Sequence, residues 1–393
     1  MVGEIDAMAT GQTDQPLARR ELRAQGPTTP KGRAFCFAGF LAGSLLAAGL
    51  AVPLSSQSVP GPTERPVVRT KPGVAPQYLW SDPGNIEAID FATGPDGKAG
   101  LPEPPFQFVE EDLGGSNPKV KIRDAQGRLW IVKWTDEINS EPFATRLALA
   151  LGYFARPAHY VREGQILGAG KLRRAANYLE RDGYFDAASF KLISDEMPYL
   201  SGYNWAWTDN PFLETPLGAR QLNGLKILMM LTSNWDAKDT RDARFGPNTA
   251  IYRVTGRGRV AQFLYAFDDW GATMGKWGYF CVREKWDCDG YVQQTPEFVK
   301  GVKNGYMQWG FSGKHKGDLT EGIAVEDVSW LLHYLGRISD RQLREGLRAS
   351  GANEQEVQRF SKAIRQRIQQ LEQATRHNSR AENIAVEASY ERR

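Results

Sequence analysis

The chain has 393 residues, 41% hydrophobic and 24% charged, a globular balance with room for one large or two ordinary domains. Its formal net charge is only +3 and its basic residues are distributed, so nucleic acid is excluded as the expected partner. The 11 Trp and 14 Tyr gather at 199–212 and 265–309, where they either line a cleft or fill a core.

Residues 1–33 read as a disordered basic leader, polar at first and then carrying Arg19, Arg20, Arg23, Lys31 and Arg33. Residues 34–52 follow without a single charge. A positive flank before an apolar run is the mark of a signal segment or a membrane anchor inserted with its N-terminus inside. Residues 53–76 are a Pro-rich linker. The expected placement is therefore exported or membrane-anchored, with the folded part on the extracytoplasmic, periplasm-like side.

From 77 to 105 the chain is punctuated by Gly and Pro and reads as a lead-in. Gly114-Gly115-Ser116 forms a flexible turn. Val120 and Ile122 alternate with charged residues, a turn follows at 124–127, and Leu129, Ile131 and Lys133 return on a second strand. Asn139 or Ser140 caps a helix with Glu141 in its first turn and Phe143, Leu147 and Leu151 on one face. A strand is expected around His159–Val161, and residues 171–185 are basic and amphipathic. Tyr203, Trp205 and Trp207 sit in an aromatic loop that either contacts an acceptor or packs beneath the turn at 234–239.

Residues 225–271 organise the rest. An apolar helix ends in Asn234-Trp235-Asp236-Ala237-Lys238-Asp239, and two apolar strands come next, the second ending in Asp268-Asp269-Trp270-Gly271. Both segments bring acidic ends to one rim of the core. Phosphoryl transfer asks for this: one Asp to orient the attacking hydroxyl, and another, with an Asn, to hold Mg²⁺ on the phosphates. A glycine-rich turn that can lay N–H groups on phosphates and a strand Lys paired to a helix Glu complete the order. The expected fold class is α+β: a two-lobed protein-kinase-like fold with a small β-rich N-lobe at 77–170, a mainly helical C-lobe at 171–345 and extra C-terminal helices at 346–375.

The segments GGSNPKVKIRDAQGRLWIVKW and SEPFATRLALALGY, with LTSNWDAKD and YAFDDWGA, resemble the HipA-type kinases and their phosphoinositide-kinase-like and secretory-pathway relatives, over about 106–345. The resemblance implies that Gly115, Ser116 and Lys119 form a phosphate loop and that Lys133 contacts the α- and β-phosphates, held by Glu141. It implies Asp236 as catalytic base, Lys238 as the cation that neutralises the transferring phosphoryl group, and Asp269 as metal ligand. The cofactors implied are ATP with Mg²⁺, or Mn²⁺ in its place. One departure stands out: the family's metal-binding Asn lies about five residues beyond the base, where this chain has Arg241. Asn248, just before the next strand, is favoured over Asp242 for that role, with 240–247 as an insertion.

Cys281 and Cys288 either close a small disulfide or remain thiols. Lys314, His315 and Lys316 lie in a basic-aromatic loop suited to an anionic acceptor or simply to solvent. Helices are expected from 325 to 335, after a Ser339-Asp340 cap, and from Asn353 on a stripe of Val357, Phe360, Ile364, Ile368 and Leu371, with a frayed tail at 376–393. The leading function is an ATP phosphotransferase acting on a protein, lipid or saccharide hydroxyl. A degenerate kinase-like scaffold and a nucleotidyl transferase are the alternatives. Neither a Gly-x-Ser-x-Gly elbow nor a His-Glu-x-x-His helix is present.

Overall fold

The computed structural model describes residues 75–115, 117–200, 203–255, 261–278 and 282–390, with side chains to 378. It is a mixed α+β fold. In chain order its strands and helices are β1 (Gln77–Tyr78), β2 (Phe106–Asp112), β3 (Lys119–Arg123), β4 (Leu129–Lys133), α1 (Ser140–Ala150), β5 (Ala158–Leu167) and β6 (Tyr184–Ile193). Then come α2 (Pro216–Leu231), β7 (Thr249–Thr255), β8 (Ala261–Phe267), α3 (Cys288–Gln294), β9 (Val299–Lys303) and β10 (Tyr306–Trp309). The chain finishes with α4 (Lys316–Thr320), α5 (Val325–Leu335), α6 (Asp340–Ala349) and α7 (Glu354–Tyr390).

Strands β2-β3-β4-β6-β5 close into a barrel. The alternation in β3 and β4 turns Val120, Ile122, Trp130 and Val132 inward, where they meet Phe106, Ile166, Phe185 and Phe190. Register pairs Lys119 with Lys133 across β3 and β4, so both lysines leave the barrel at one end. The barrel draws β6 from beyond residue 170, so the β-rich part runs to Ile193, further than the expected boundary. Residues 171–180 form turns rather than an amphipathic element, because Glu111 accepts the backbone N–H groups of Arg173, Arg174 and Ala175 at 2.6–2.8 Å.

A second core surrounds α2, whose Leu222, Leu225, Leu228 and Met229 are fully buried among α1, α5, α6 and α7 residues. Thr215 caps its start by accepting from Gly218 N at 3.0 Å, with Pro216 at the first position. Its end is a Schellman turn: Ser233 sits at φ 52, Ser233 N donates to Met230 O and Asn234 N to Met229 O. Strands β7 and β8 form the expected hairpin, with β1 added parallel to β8. Helix α7 continues through 376–390, where a frayed tail was expected.

The expectation of a signal segment or transmembrane anchor, with membrane attachment and an extracytoplasmic, periplasm-like location, is corrected. Among the described residues no helix is long and apolar enough to cross a membrane. The stretch 34–52 on which it rested, with the leader 1–33 and the linker up to residue 74, lies outside the described residues. So do Ser116 and Cys281, and with Cys281 the choice between a disulfide and free thiols.

Arg367 on α7 fixes the exit of α2. Its guanidinium donates to Leu231 O at 2.9 Å, Ser233 Oγ at 2.8 Å, Thr295 Oγ1 at 3.0 Å and Tyr291 O at 3.1 Å, and it stacks on Tyr291. Only 1% of it is exposed. Arg367→Met strands these buried acceptors and is expected to lower stability by about 3 kcal/mol. Urea unfolding followed by tryptophan fluorescence checks this, and a loss below about 1 kcal/mol would show that water replaces the guanidinium.

Candidate functional site

The Schellman turn aims Asn234-Trp235-Asp236 out of α2 and alongside the segment after β8. Trp235 N donates to Ala272 O at 3.2 Å, Met274 N to Thr232 O at 2.8 Å, and Asn234 Nδ2 to Asp269 O at 3.4 Å. Asn248 stitches the third piece: its N donates to Lys238 O at 3.0 Å and its O accepts from Asp268 N at 2.7 Å. Three segments far apart in sequence thus meet through backbone bonds, and the side chains fall into two adjoining groups.

The first group is built on the barrel. Lys133 Nζ lies 3.1 Å from Glu141 Oε2 and 3.8 Å from Glu137 Oε2. Burial would lower the Lys133 pKa, but Glu141, Asp269 and Glu137 outweigh it and raise it above the ordinary lysine value. Asp269 takes the Gly271 N–H at 3.0 Å. Burial would raise its pKa, but Lys133 and then Lys191 overcome it and hold it at about 2. Glu141, fully buried, is likewise held below the usual carboxylate range by Lys133 and Lys191 against the cost of burial.

Several members of this group were not foreseen. Lys191 on β6 is 2% exposed, donates to Glu141 Oε1 at 2.8 Å and bonds the Asp268 carbonyl. Asp268 is clamped by Arg156, with Nε to Oδ1 at 3.0 Å, and by the Tyr252 hydroxyl at 2.6 Å. Burial would raise the Asp268 pKa, yet Arg156 and Lys191 drive it far below the usual range. Lys285 pairs with Glu137 at 2.5 Å. The available signal for Lys191 was a single lysine inside the apolar run Phe190–Ile193, and nothing local marked Arg156.

The second group surrounds Asp236. Lys238 Nζ lies 3.1 Å from its Oδ2, and Asn248 Nδ2 donates to its main-chain oxygen at 2.6 Å and to Oδ2 at 3.2 Å. Lys314 Nζ stands 3.1 Å from Oδ1, as an ion pair rather than an aligned hydrogen bond. Asp242 is committed elsewhere, to the Asp239 N–H at 3.1 Å and to His315 Nε2 at 2.6 Å. Arg241 bridges Asp239 and Asp318, each at 2.6 Å. Asp239, Asp242 and His315 bring ligand atoms within 4.8 Å, but Arg241 and their mutual hydrogen bonds already engage them.

Gly115 and Lys119 flank the first group. Gly115, at φ 66, lies so close to Lys119 that a Cβ there would come within 3.3 Å of its Nζ. Lys119 reaches Asp112 at 3.6 Å, and burial, then the neighbouring Lys133, press its pKa down against the opposing pull of Asp112. Trp205 and Trp207 are buried, and Trp207 donates to Ala237 O at 2.9 Å and to the Asp239 carboxylate. They pack beneath the 236–239 turn. A cavity of about 600 Å³ lined by Arg128, Pro157, Ser194, Met197 and Val254 lies apart and shares none of these residues.

Two oxygen donors could hold a divalent cation. Asp269 is an ionised oxygen donor with one N–H on it, and Asn248 commits its amide nitrogen to Asp236, leaving the amide oxygen for a metal. No family model and no curated protein matches the chain.

A carboxylate held below its unfolded value stabilises the fold above about pH 4 and loses that contribution as pH falls through its folded value. For Asp269 the window therefore runs from about pH 4 down to about pH 2. Lys133→Met removes the leading downward pull, so its acid unfolding is expected to begin at higher pH than the wild type's. Urea midpoints measured from pH 7 to pH 2 check this. Curves that remain parallel throughout would mean that Lys133 does not hold Asp269 ionised.

Proposed function

We propose that the chain is an ATP-dependent phosphotransferase acting on a hydroxyl, built in the manner of the HipA-like and phosphoinositide-kinase-like enzymes. The observation that carries this reading is the convergence of Lys133, Glu141 and Asp269 beside Asp236, Lys238 and Asn248, from five separate stretches of sequence. In it, Lys133 restrains the phosphates, with Gly115 and Lys119 along their path. Asn248 and Asp269 hold the metal, which would screen the phosphate charge, and Asp236 receives the acceptor proton. Lys238 offsets charge on the group in transit. A nucleotide-binding protein without transfer is the second reading, favoured by Arg241 at the usual Asn position and by the occupied oxygens of Asp236.

The two groups should respond differently to substitution. Asp236→Ala is expected to cut transfer of γ-labelled phosphate by about 10²–10⁴-fold while leaving magnesium-ATP affinity near the wild type's. Lys133→Met and Asp269→Asn are expected to weaken that affinity by about tenfold or more. Calorimetry with the full-length chain and label transfer into a cell extract read the two effects. Wild-type protein that fails to bind magnesium-ATP would sink the reading, and label arriving from the α-position would replace it with nucleotidyl transfer.

A further inference from the structure

Lys314 sits on the candidate base without a part in the proposed transfer. The loop at 310–316, between β10 and α4, lies flat on the 234–236 turn. Lys314 N donates to Trp235 O at 2.8 Å, and a Cβ on Gly313 would stand 2.9 Å from Trp235 Cα. The next residue is fastened too: His315, at φ 49, reaches Asp242 at 2.6 Å, and Arg241 ties the insertion to Asp318. The backbone is therefore pinned on both sides of residue 314. The side chain is not; it is 28% exposed on a flexible four-carbon stem, with its ammonium 5.8 Å from the exposed Phe245 ring.

Lys238 and Lys314 face the Asp236 carboxylate, one on each oxygen. Asp236 Oδ1, the oxygen 3.1 Å from Lys314 Nζ, has essentially no solvent-accessible surface. A neutral acceptor would exchange that ion pair for a hydrogen bond to the carboxylate alone and leave the ammonium to water. An anionic acceptor replaces the pair like for like, with a charge-assisted bond of equal kind.

We propose that Lys314 determines acceptor specificity: it selects a hydroxyl compound with a phosphate or carboxylate near the hydroxyl, and that anion draws Lys314 off Asp236 to expose the base. The proposal rests on the phosphotransferase reading. In the step it serves, the acceptor oxygen bonds to the γ-phosphorus of ATP as its proton passes to Asp236 Oδ1. The bond from that phosphorus to the β–γ bridging oxygen breaks, and its electron pair leaves with ADP.

The test uses the full-length chain and two readouts. Inorganic phosphate titrated by calorimetry is expected to bind saturably to the wild type and to Lys314→Arg, and at least about tenfold more weakly to Lys314→Met. Equal binding by all three overturns the proposal, whatever the nucleotide result, so its failure is separable from failure to bind magnesium-ATP. Transfer of γ-label is then compared between glycerol 3-phosphate and glycerol, and between serine peptides flanked by Asp and by Asn. The wild type is expected to prefer the charged member of one pair by about tenfold or more, which separates a phosphorylated polyol from an acidic peptide. Lys314→Met should lose that preference while still labelling the neutral member, an outcome that misfolding does not produce. A preference unchanged in Lys314→Met overturns the assignment.

Discussion

Charge compensation in a buried space is the constraint on which the rest of the structure depends. Glu137, Glu141, Asp268 and Asp269 meet where the barrel faces the helices, and Lys133, Lys191, Arg156 and Lys285 answer them. An ion pair of this kind adds little net stability, since desolvation offsets most of the attraction, but losing one partner strands a buried charge. The network therefore dictates arrangement more than it contributes energy. β4, α1, the approach to β5, β6 and the end of β8 must all arrive together, because each supplies one sign of the balance.

Elements with a strong local period were legible in the sequence. The β3–β4 alternation, the apolar α2 and the β7–β8 hairpin all appear close to where periodicity put them. What periodicity could not supply was closure. β2 pairs parallel with β5, and β6 pairs with both β4 and β5, contacts between residues up to 64 positions apart that leave no local trace. Lys191 shows the same limit in a single side chain. Its neighbours Phe190 and Leu192 announce a buried strand, but the carboxylate that makes a buried lysine tolerable is Glu141, on a helix 50 residues earlier. The segment 171–180 failed differently: an amphipathic pattern yielded to one carboxylate, Glu111, that satisfies three consecutive N–H groups.

The stretch after Asp236 satisfies most of its polar groups from within and from one neighbouring loop. Asp239 caps the turn that begins at Thr240 and is gripped by Arg241, while Asp242 returns a bond to the Asp239 N–H. These residues spend their polarity on one another and on His315 and Asp318 of the neighbouring loop. Asn248 is carried past them to the start of β7, where its main chain joins Lys238 to Asp268 and its side chain meets Asp236.

The two aspartates at the centre of the proposed reaction differ in what surrounds their charge. Asp269 is enclosed with Lys133 and Lys191, and that fixed field keeps it ionised across the physiological range. In the proposed reaction this is the aspartate that would hold the metal. Asp236 instead meets its cations, Lys238 and Lys314, on stems that reach the surface, where each is partly solvated. Their hold can be exchanged with an incoming anion, whereas Lys191, only 2% exposed, has no such exchange open to it. The enclosed Lys191 on one side and the partly exposed Lys314 on the other mark the difference between the two aspartates' surroundings.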